Sequence, residues 1–178
     1  KVISKLGSGV MAVVYKAKQL SLDRTVAVKV LPKKFSEKSN YIERFYKEGK
    51  LAAKLNHKNI VQAFDVGEAG GVYYFVMEFV EGKTLYDDLS KGKIFSEQEA
   101  LDVTMQLCEA LKHAHAQGLI HRDVKPKNVM ITPEGVVKLA DMGLAREKKD
   151  LEAAESEKGK AFGTPYYIAP EQVRGEVN

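Results

Sequence analysis

The segment IHRDVKPKNVMI, residues 120–131, crowds chargeable side chains between two apolar patches. Because a helix interior rejects proline and a buried strand rejects charge, the segment is predicted to be a polar loop anchored by its apolar ends. It contains Asp123 and Asn128, and Asp141 follows after a short predicted hairpin. Carboxylate and amide oxygens suit Mg²⁺, and one Asp could orient a hydroxyl nucleophile while the other two residues hold the metal. The set favours phosphoryl-transfer chemistry, although Asp-x-Gly alone is only a turn signal.

Lys29 and Glu48 form a second pair of unexpected charges. Lys29 lies in the apolar run VAVKV, where a cation is costly unless it is paired or lies on an edge strand from which it reaches water. Glu48 falls on the inner stripe of a predicted helix, together with Phe45, Ala52 and Leu55. A cation and an anion on neighbouring elements predict an ion pair, and a lysine so held could bind phosphate as a point charge. The edge-strand alternative stays open at this point.

Gly7 and Gly9, in the stretch LGSGVMAVVYKA, could let backbone N–H groups approach phosphate oxygens. An ordinary hairpin turn is the simpler interpretation of Gly-x-Gly. A dinucleotide-binding fingerprint is excluded because a strand rather than a helix follows. A P-loop is excluded because no Gly-Lys-Ser or Gly-Lys-Thr is present.

The patterning of the first half of the chain predicts a sheet with one helix. Residues 1–31 alternate in polarity and are rich in β-branched side chains, which predicts a three-stranded antiparallel meander. Residues 41–55 change to a helical period. Two further strands are predicted at residues 60–66 and 72–79, joined by glycines.

A change of composition near residues 79–83 precedes a helix-rich second half. Thr84 is predicted to cap a short helix, and Ser96 a long helix that ends near Gln117. Six residues of the long helix lie on its predicted inner stripe: Leu101, Thr104, Met105, Cys108, Leu111 and His115.

Bulk composition is that of an ordinary globular protein. The 178 residues carry a net charge of +4 that is spread along the chain, which disfavours nucleic-acid binding. The one cysteine, Cys108, lies in an apolar-periodic run and is predicted to be a buried thiol, as expected in the reducing cytoplasm. No apolar run approaches the roughly 18 residues that span a bilayer, so we expect no membrane contact by this segment.

A series of motifs occurs in order along the chain. The motifs are GSG at 7–9, VAVK at 26–29, Glu48, His121-Arg122-Asp123 with Asn128, Asp141-Met142-Gly143 and Ala169-Pro170-Glu171. The ordered set resembles the eukaryotic-type protein kinase family. The resemblance implies an α+β, bilobal protein-kinase-like fold. Residues 1–80 would form an N-lobe with an antiparallel five-stranded sheet and one helix, and residues 81–178 would form part of a mainly helical C-lobe.

The resemblance also implies that ATP binds with Mg²⁺ and that its γ-phosphoryl group is transferred to a protein hydroxyl. Asp123 would be the catalytic base, and Lys125 would neutralise the transferring group. Lys29, paired with Glu48, would hold the α- and β-phosphates, and the metal ligands would be Asn128 and Asp141. The remaining nucleotide contacts would be Gly7 and Gly9 over the phosphates, Leu6, Val14, Ala27 and Met130 around adenine, the gatekeeper Met77, and the hinge Glu78, Phe79 and Val80.

Residues near the catalytic loop indicate the class of protein substrate. Lys125-Pro126 and the run Gly163-Thr164-Pro165 resemble kinases that act on Ser and Thr rather than on Tyr. Longer stretches, such as RFYKEGKLAAKLNHKNIV and PYYIAPEQVRGE, are similar to the eukaryote-like Ser/Thr kinases of bacteria. The alternative is a pseudokinase or nucleotide-binding regulatory module, which the complete polar set disfavours.

The chain departs from the family pattern in several places. Ala12 replaces the third glycine of the loop, and Met142 replaces the usual Phe, whose packing role a flexible apolar side chain can fill. Ser156 is the candidate phosphorylation site of the activation loop; the alternative is that control does not use loop phosphorylation. Because the chain stops soon after Glu171, the C-lobe is expected to be incomplete. The inner face of the long helix would then be exposed and would favour self-association. Whether a longer parent chain is tethered to a membrane is left open by the sequence.

Overall fold

The computed structural model describes residues 1–9, 12–143, 145–147 and 163–174. The chain divides into two compact units, Lys1–Asn56 with Val61–Glu81, and His57–Ile60 with Gly82–Asn178. The sequence predicted a division between residues 80 and 81. Residues 57–60 were predicted to belong to the first unit but belong to the second. They do so because the Asn59 carbonyl accepts a hydrogen bond from the Leu139 N–H and Ile60 forms a parallel bridge with Leu139. Within the described ranges, no helix combines the length and apolarity needed to cross a membrane.

An antiparallel five-stranded sheet forms the first unit, as predicted. In chain order its strands are β1 (Val2–Ser8), β2 (Val13–Gln19), β3 (Arg24–Val30), β4 (Ala63–Ala69) and β5 (Val72–Glu78). Their order across the sheet is β1-β2-β3-β5-β4. Strand β3 is therefore central, with a hydrogen-bonded neighbour on each side.

Strand β4 was predicted at residues 60–66, but it spans Ala63–Ala69 and so begins three residues later. Ile60 is unavailable to this sheet, since it pairs with Leu139 in the second unit. The turn to β5 is made at Gly70 and Gly71, whose φ angles of 59° and 76° favour glycine.

Two helices belong to the first unit, α1 (Lys33–Ser36) and α2 (Ser39–Ala53). The predicted inner stripe of α2 is confirmed, because Phe45 and Ala52 are buried and Leu55, just beyond its end, is fully buried. Gly49 lets α2 approach β4 closely, since a Cβ at this position would lie 3.1 Å from the Val66 side chain.

The second unit contains helices and short strands. The helices are α3 (Leu85–Ser90), α4 (Glu97–Ala116) and α5 (Pro170–Val173), and the strands are β6 (Lys83–Thr84), β7 (Leu119–Ile120), β8 (Val129–Ile131), β9 (Val137–Leu139) and β10 (Arg146–Glu147). Strands β6, β8 and β9 form one antiparallel sheet, and β7 pairs with β10. The predicted caps of α3 and α4 are confirmed, because Thr84 and Ser96 each form a capping box with the residue three positions later.

The predicted inner stripe of α4 is largely exposed, as expected for an incomplete C-lobe. Leu101 is 50% exposed and Met105 is 66% exposed. Cys108 was predicted to be buried, but its thiol is exposed. The helix instead buries Ala110 and Ala114, because the stripe that carries them packs on β7 and β9.

Candidate functional site

Lys29 lies on the central strand β3 and forms an ion pair with Glu48 of α2, with 2.5 Å between Nζ and Oε1. The two side chains retain 17% and 11% of their exposure, so the pair is largely withdrawn from water. Strands β2 and β5 lie on either side of Lys29, where Val14 and Phe75 are its partners in register. The edge-strand alternative is therefore wrong, and the cation is held inside the unit by a carboxylate.

Four of the predicted nucleotide-binding residues share one face of this sheet. Val14 is directly opposite Lys29, and Met77 is directly opposite Ala27. Ala27 and Lys29 are two residues apart on β3, so their side chains leave the same face. The sheet thus brings an apolar set, consisting of Val14, Ala27 and Met77, to the same face as the ammonium of Lys29.

The other predicted residues of the first unit lie at strand ends. Gly7 pairs with Val14, and the Gly9 N–H donates to the Ala12 carbonyl across 2.8 Å, which closes the β1–β2 turn. Leu6 is exposed and Val80 is buried. Glu78 ends β5, where its N–H donates to Gln62 O and its carboxylate accepts from Gln62 N–H, at 2.9 and 3.1 Å. The roles of these residues in nucleotide binding stay predictions.

Asp123 is the centre of a hydrogen-bond network in the second unit. Its Oδ1 accepts from the Thr164 hydroxyl at 2.7 Å, and its Oδ2 accepts from Lys125 Nζ at 2.6 Å and from Asn128 Nδ2 at 3.2 Å. Lys125 Nζ also donates to Thr164 Oγ1 at 2.8 Å. A hydroxyl group therefore lies between a buried carboxylate and an ammonium, donating to the first and accepting from the second.

The buried His121 ring links the backbone at Asp123 to the backbone at Ala140. Its ring is 2% exposed, Nε2 donates to Ala140 O at 3.1 Å, and Nδ1 accepts from the Asp123 N–H at 3.3 Å. One ring nitrogen donates and the other accepts, so this geometry requires a neutral imidazole. Burial lowers the pKa of His121 and favours the same form.

Asn128 and Asp141 lie at the open end of the β8–β9 hairpin. Asn128 immediately precedes β8, and its carbonyl accepts from the N–H of Ala140, the residue before Asp141. Asn128 Nδ2 donates to Asp123 O at 2.9 Å. The side-chain oxygen of Asn128 therefore points away from Asp123 O. Asp141 is exposed, with a φ of 66°, and its Oδ1 accepts from the Gly143 N–H.

This donor set fits Mg²⁺. Across the described ranges, no three His, Cys, Asp or Glu side chains cluster as a metal site. One carboxylate and one amide oxygen are nevertheless what Mg²⁺ takes when phosphate oxygens and water complete its octahedron. Asn128 and Asp141 are therefore suited to a metal that arrives with a polyphosphate.

Two strained positions flank the network. Arg122 and Asp141 have φ angles of 64° and 66°, in the left-handed region that non-glycine residues rarely occupy. The carbonyl of Arg122 is held by Gln172 Nε2 of α5 at 3.0 Å. Strained backbone persists where its surroundings fix it and clusters at functional sites.

Several sequence predictions concern residues around this network. Met142 is buried, in keeping with the packing role expected of it. Met130, on β8, is half-buried and pairs with Thr84. The candidate phosphorylation site Ser156 lies outside the described residues.

Sequence reasoning missed three polar residues that support the site. Besides Gln172, these are Asn59 and Gln106, which hydrogen bond to β9 or to the turn before it. A glutamine in an amphipathic helix and an asparagine in a short loop are usually solvated, so no sequence signal marks them.

His57, in the loop of residues 57–60, stacks on His113 of α4, with ring centroids 5.1 Å apart. The His57 pKa is lowered, first by burial and then by His113; Lys58 and Lys138 act in the same direction and Glu109 opposes them. In the unfolded chain, His57 therefore takes up a proton near pH 6.5, whereas in the folded chain it does so only at lower pH.

We expect the free energy of unfolding to fall as the pH drops below about 6.5, because the unfolded state then binds more protons. Chemical denaturation between pH 7.5 and pH 5 measures this slope. The variant His57→Phe keeps a stacking ring without the titration and should flatten the slope. An equal slope in both proteins would show that His57 does not contribute.

Comparison with known protein sequences places this geometry in context. The model of the protein kinase domain family matches residues 1–178. The serine/threonine-protein kinase PrkC of Bacillus subtilis is 37% identical over 175 residues, covering 98% of this chain and 27% of that protein. PknB of Mycolicibacterium smegmatis, also a serine/threonine-protein kinase, is 41% identical over 176 residues, covering 97% of this chain and 28% of that protein. A probable serine/threonine-protein kinase of Clostridium acetobutylicum is 39% identical, with 98% and 26% covered. The chain thus spans about a quarter of the length of these curated relatives.

Proposed function

This chain belongs to the protein kinase domain family, and we propose that it is the ATP-binding and catalytic part of a serine/threonine protein kinase. Members of the family generally use ATP and Mg²⁺. The observation that supports the proposal best is the Thr164 hydroxyl, which donates to Asp123 and accepts from Lys125. A substrate Ser or Thr hydroxyl needs the same two neighbours.

In the proposed reaction, the oxygen of the substrate hydroxyl forms a bond to the γ-phosphorus of ATP. The bond between that phosphorus and the β,γ-bridging oxygen breaks, and ADP leaves with the electron pair. Asp123 takes the hydroxyl proton, since its buried carboxylate already accepts from a hydroxyl at 2.7 Å. Lys125 neutralises charge on the transferring group.

The proposed nucleotide contacts are the residues that the family motifs predict. Lys29, held by Glu48, would bind the α- and β-phosphates as a point charge, under the backbone of Gly7 and Gly9. The apolar set of Val14, Ala27 and Met77 would contact adenine, together with Leu6, Met130 and the hinge residues Glu78 and Val80. Because ATP is a cytoplasmic substrate, we place this segment in the cytoplasm.

Asn128 and Asp141 would hold Mg²⁺, which would neutralise charge on the phosphates. We expect Asp141→Asn to weaken Mg²⁺-dependent ATP binding by on the order of tenfold or more, the loss seen when even outer-shell metal partners are removed. Titration of a fluorescent ATP analogue at graded Mg²⁺ concentrations measures it.

The matched control is Asp23→Asn, which makes the same substitution at another left-handed position, with a φ of 48°, far from the site in sequence. It should leave the Mg²⁺ dependence unchanged. Equal Mg²⁺ dependence in Asp141→Asn and the wild type would remove Asp141 from the metal site.

The decisive experiment is transfer from radiolabelled ATP to a general protein acceptor by the full-length protein, followed by identification of the labelled amino acids. Label on Ser and Thr supports the proposal. ATP binding with no transfer would favour the pseudokinase alternative, and label confined to Tyr would contradict the substrate class.

We also propose that the isolated 178-residue chain self-associates through α4. The exposed face includes the apolar residues Leu101 and Met105, and contiguous exposed apolar surface favours association in water. Met105→Glu should lower the apparent mass in light scattering toward that of the monomer. Gln117→Glu, which adds the same charge at the exposed C-cap of α4 and away from that face, should not.

A further inference from the structure

The β8–β9 hairpin carries both proposed metal ligands at its open end, yet each of its strands has only three residues. Strand β8 has β6 on its other side, and the three-stranded sheet ends at β9. Side-chain groups, rather than a further strand of this sheet, pair with the backbone at the outer edge of β9. How that edge is held determines where the chain leaves β9 and enters Asp141.

A side-chain amide pairs with part of this edge. Gln106 of α4 accepts from the Val137 N–H with Oε1 at 3.0 Å and donates to Gly135 O with Nε2 at 3.0 Å. These two backbone groups are two residues apart on the same edge. One carboxamide therefore satisfies both, in the way that a residue of a neighbouring strand would.

Asn59 completes the rest of the edge and locks Gln106 in place. Its side chain is fully buried, and Nδ2 donates to Val137 O at 2.8 Å and to Gln106 Oε1 at 2.9 Å. Its carbonyl accepts from the Leu139 N–H at 2.8 Å. Val137 and Leu139 are thus fixed by backbone and side-chain groups of one loop residue.

The chain leaves this held edge directly into the proposed site. After Leu139, the Ala140 N–H donates to Asn128 O, and Ala140 O accepts from His121. Asp141 follows in its left-handed conformation. An error in the position of β9 would therefore be passed to the carboxylate of Asp141 over two residues.

We propose that Gln106 and Asn59 are positioning residues for Mg²⁺–ATP, acting through β9 on Asp141 and Asn128. This inference rests on the proposed function for the identity of the ligand. Neither residue touches the ligand. Their effect is to keep the two ligand-bearing ends of the hairpin in register, so that one metal ion can meet both.

The test uses the full-length protein and the variant Gln106→Leu, which keeps the bulk of the side chain and removes its hydrogen bonds. Gln106→Glu keeps an acceptor for Val137 and Asn59 and loses the donor to Gly135. The control is Val103→Ala, a half-buried truncation on the same helix. Each protein is titrated with a fluorescent ATP analogue with and without Mg²⁺, and hydrogen exchange is followed in peptides covering residues 137–141.

We expect Gln106→Leu to weaken Mg²⁺-dependent binding about tenfold, the loss typical of groups that orient metal ligands, with binding in the absence of Mg²⁺ unchanged. Gln106→Glu should recover part of the loss, and residues 137–141 should exchange faster in Gln106→Leu. A general loss of stability would instead move both binding constants together, as we expect of Val103→Ala.

The inference is overturned if Gln106→Leu shows the Mg²⁺ dependence of the wild type or of Val103→Ala, or if exchange at residues 137–141 is unchanged. Those results leave the proposed function standing when the wild type still transfers phosphate. A wild type that binds Mg²⁺–ATP without transferring it contradicts the function alone. A wild type that binds no Mg²⁺–nucleotide contradicts both.

Discussion

Replacing Asp123 by Asn is expected to lower the rate of phosphoryl transfer by a factor of about 10²–10⁴, the usual contribution of a general base. ATP affinity should stay within about twofold of the wild type, because Asp123 is not a proposed nucleotide or metal ligand. An amide cannot take the proton of the attacking hydroxyl. The fold should tolerate the change, since Oδ1 of the new side chain can still accept from Lys125 and Asn128. Its NH₂ group then faces the Thr164 hydroxyl, which can turn to accept. Transfer from radiolabelled ATP and a binding titration on the same preparation separate the two effects.

The matched control is Asp102→Asn, which makes the same substitution on α4, where the exposed carboxylate accepts from Gln98. It should leave transfer unchanged. Retention of more than about a tenth of the wild-type rate by Asp123→Asn would show that the proton goes elsewhere.

Local chemistry explains why much of the fold could be predicted. A capping box needs two residues three positions apart, so Thr84 and Ser96 marked the starts of α3 and α4 without knowledge of their neighbours. The meander of residues 1–31 followed from alternation, which is also local.

The errors have a common cause in tertiary contacts. Helix α4 offers several apolar stripes, and periodicity cannot say which of them meets β7 and β9. The exposure of Met105 agrees with the expectation for an incomplete C-lobe, but the predicted burial of Cys108 was wrong, and Ala110 and Ala114 make the buried stripe. Ile60 has the composition of a strand residue and pairs with a distant strand, which shifted the predicted start of β4.

The same distinction applies to the site. Lys29 and Glu48 could be paired from sequence because charge in an apolar context is expensive and demands a partner. Asn59 and Gln106 are neutral and common on surfaces, so only the structure shows that they pair with β9. Residues whose burial is anomalous can be found by sequence reasoning, whereas residues whose partners are distant backbone groups cannot.

Lys29→Met is expected to reduce transfer by at least about 10²-fold and to raise the KM for ATP, because a preorganised cation aimed at the phosphates is lost. The substitution also deprives the largely buried Glu48 carboxylate of an ammonium at 2.5 Å, so the free energy of unfolding should fall by about 2 kcal/mol. Steady-state kinetics and chemical denaturation measure the two effects.

Three comparisons isolate the role of the pair. Glu48→Gln keeps the Lys29 cation but loosens its hold, so transfer should fall by less than in Lys29→Met. In the double variant the losses should not add, since both substitutions break one interaction. Lys18→Met breaks the ion pair with Asp23, whose side chain is 91% exposed, and should cost no more than about 1 kcal/mol without affecting transfer. Additive losses in the double variant would mean that Lys29 and Glu48 act independently, and the cation would then need another explanation for its place on the central strand.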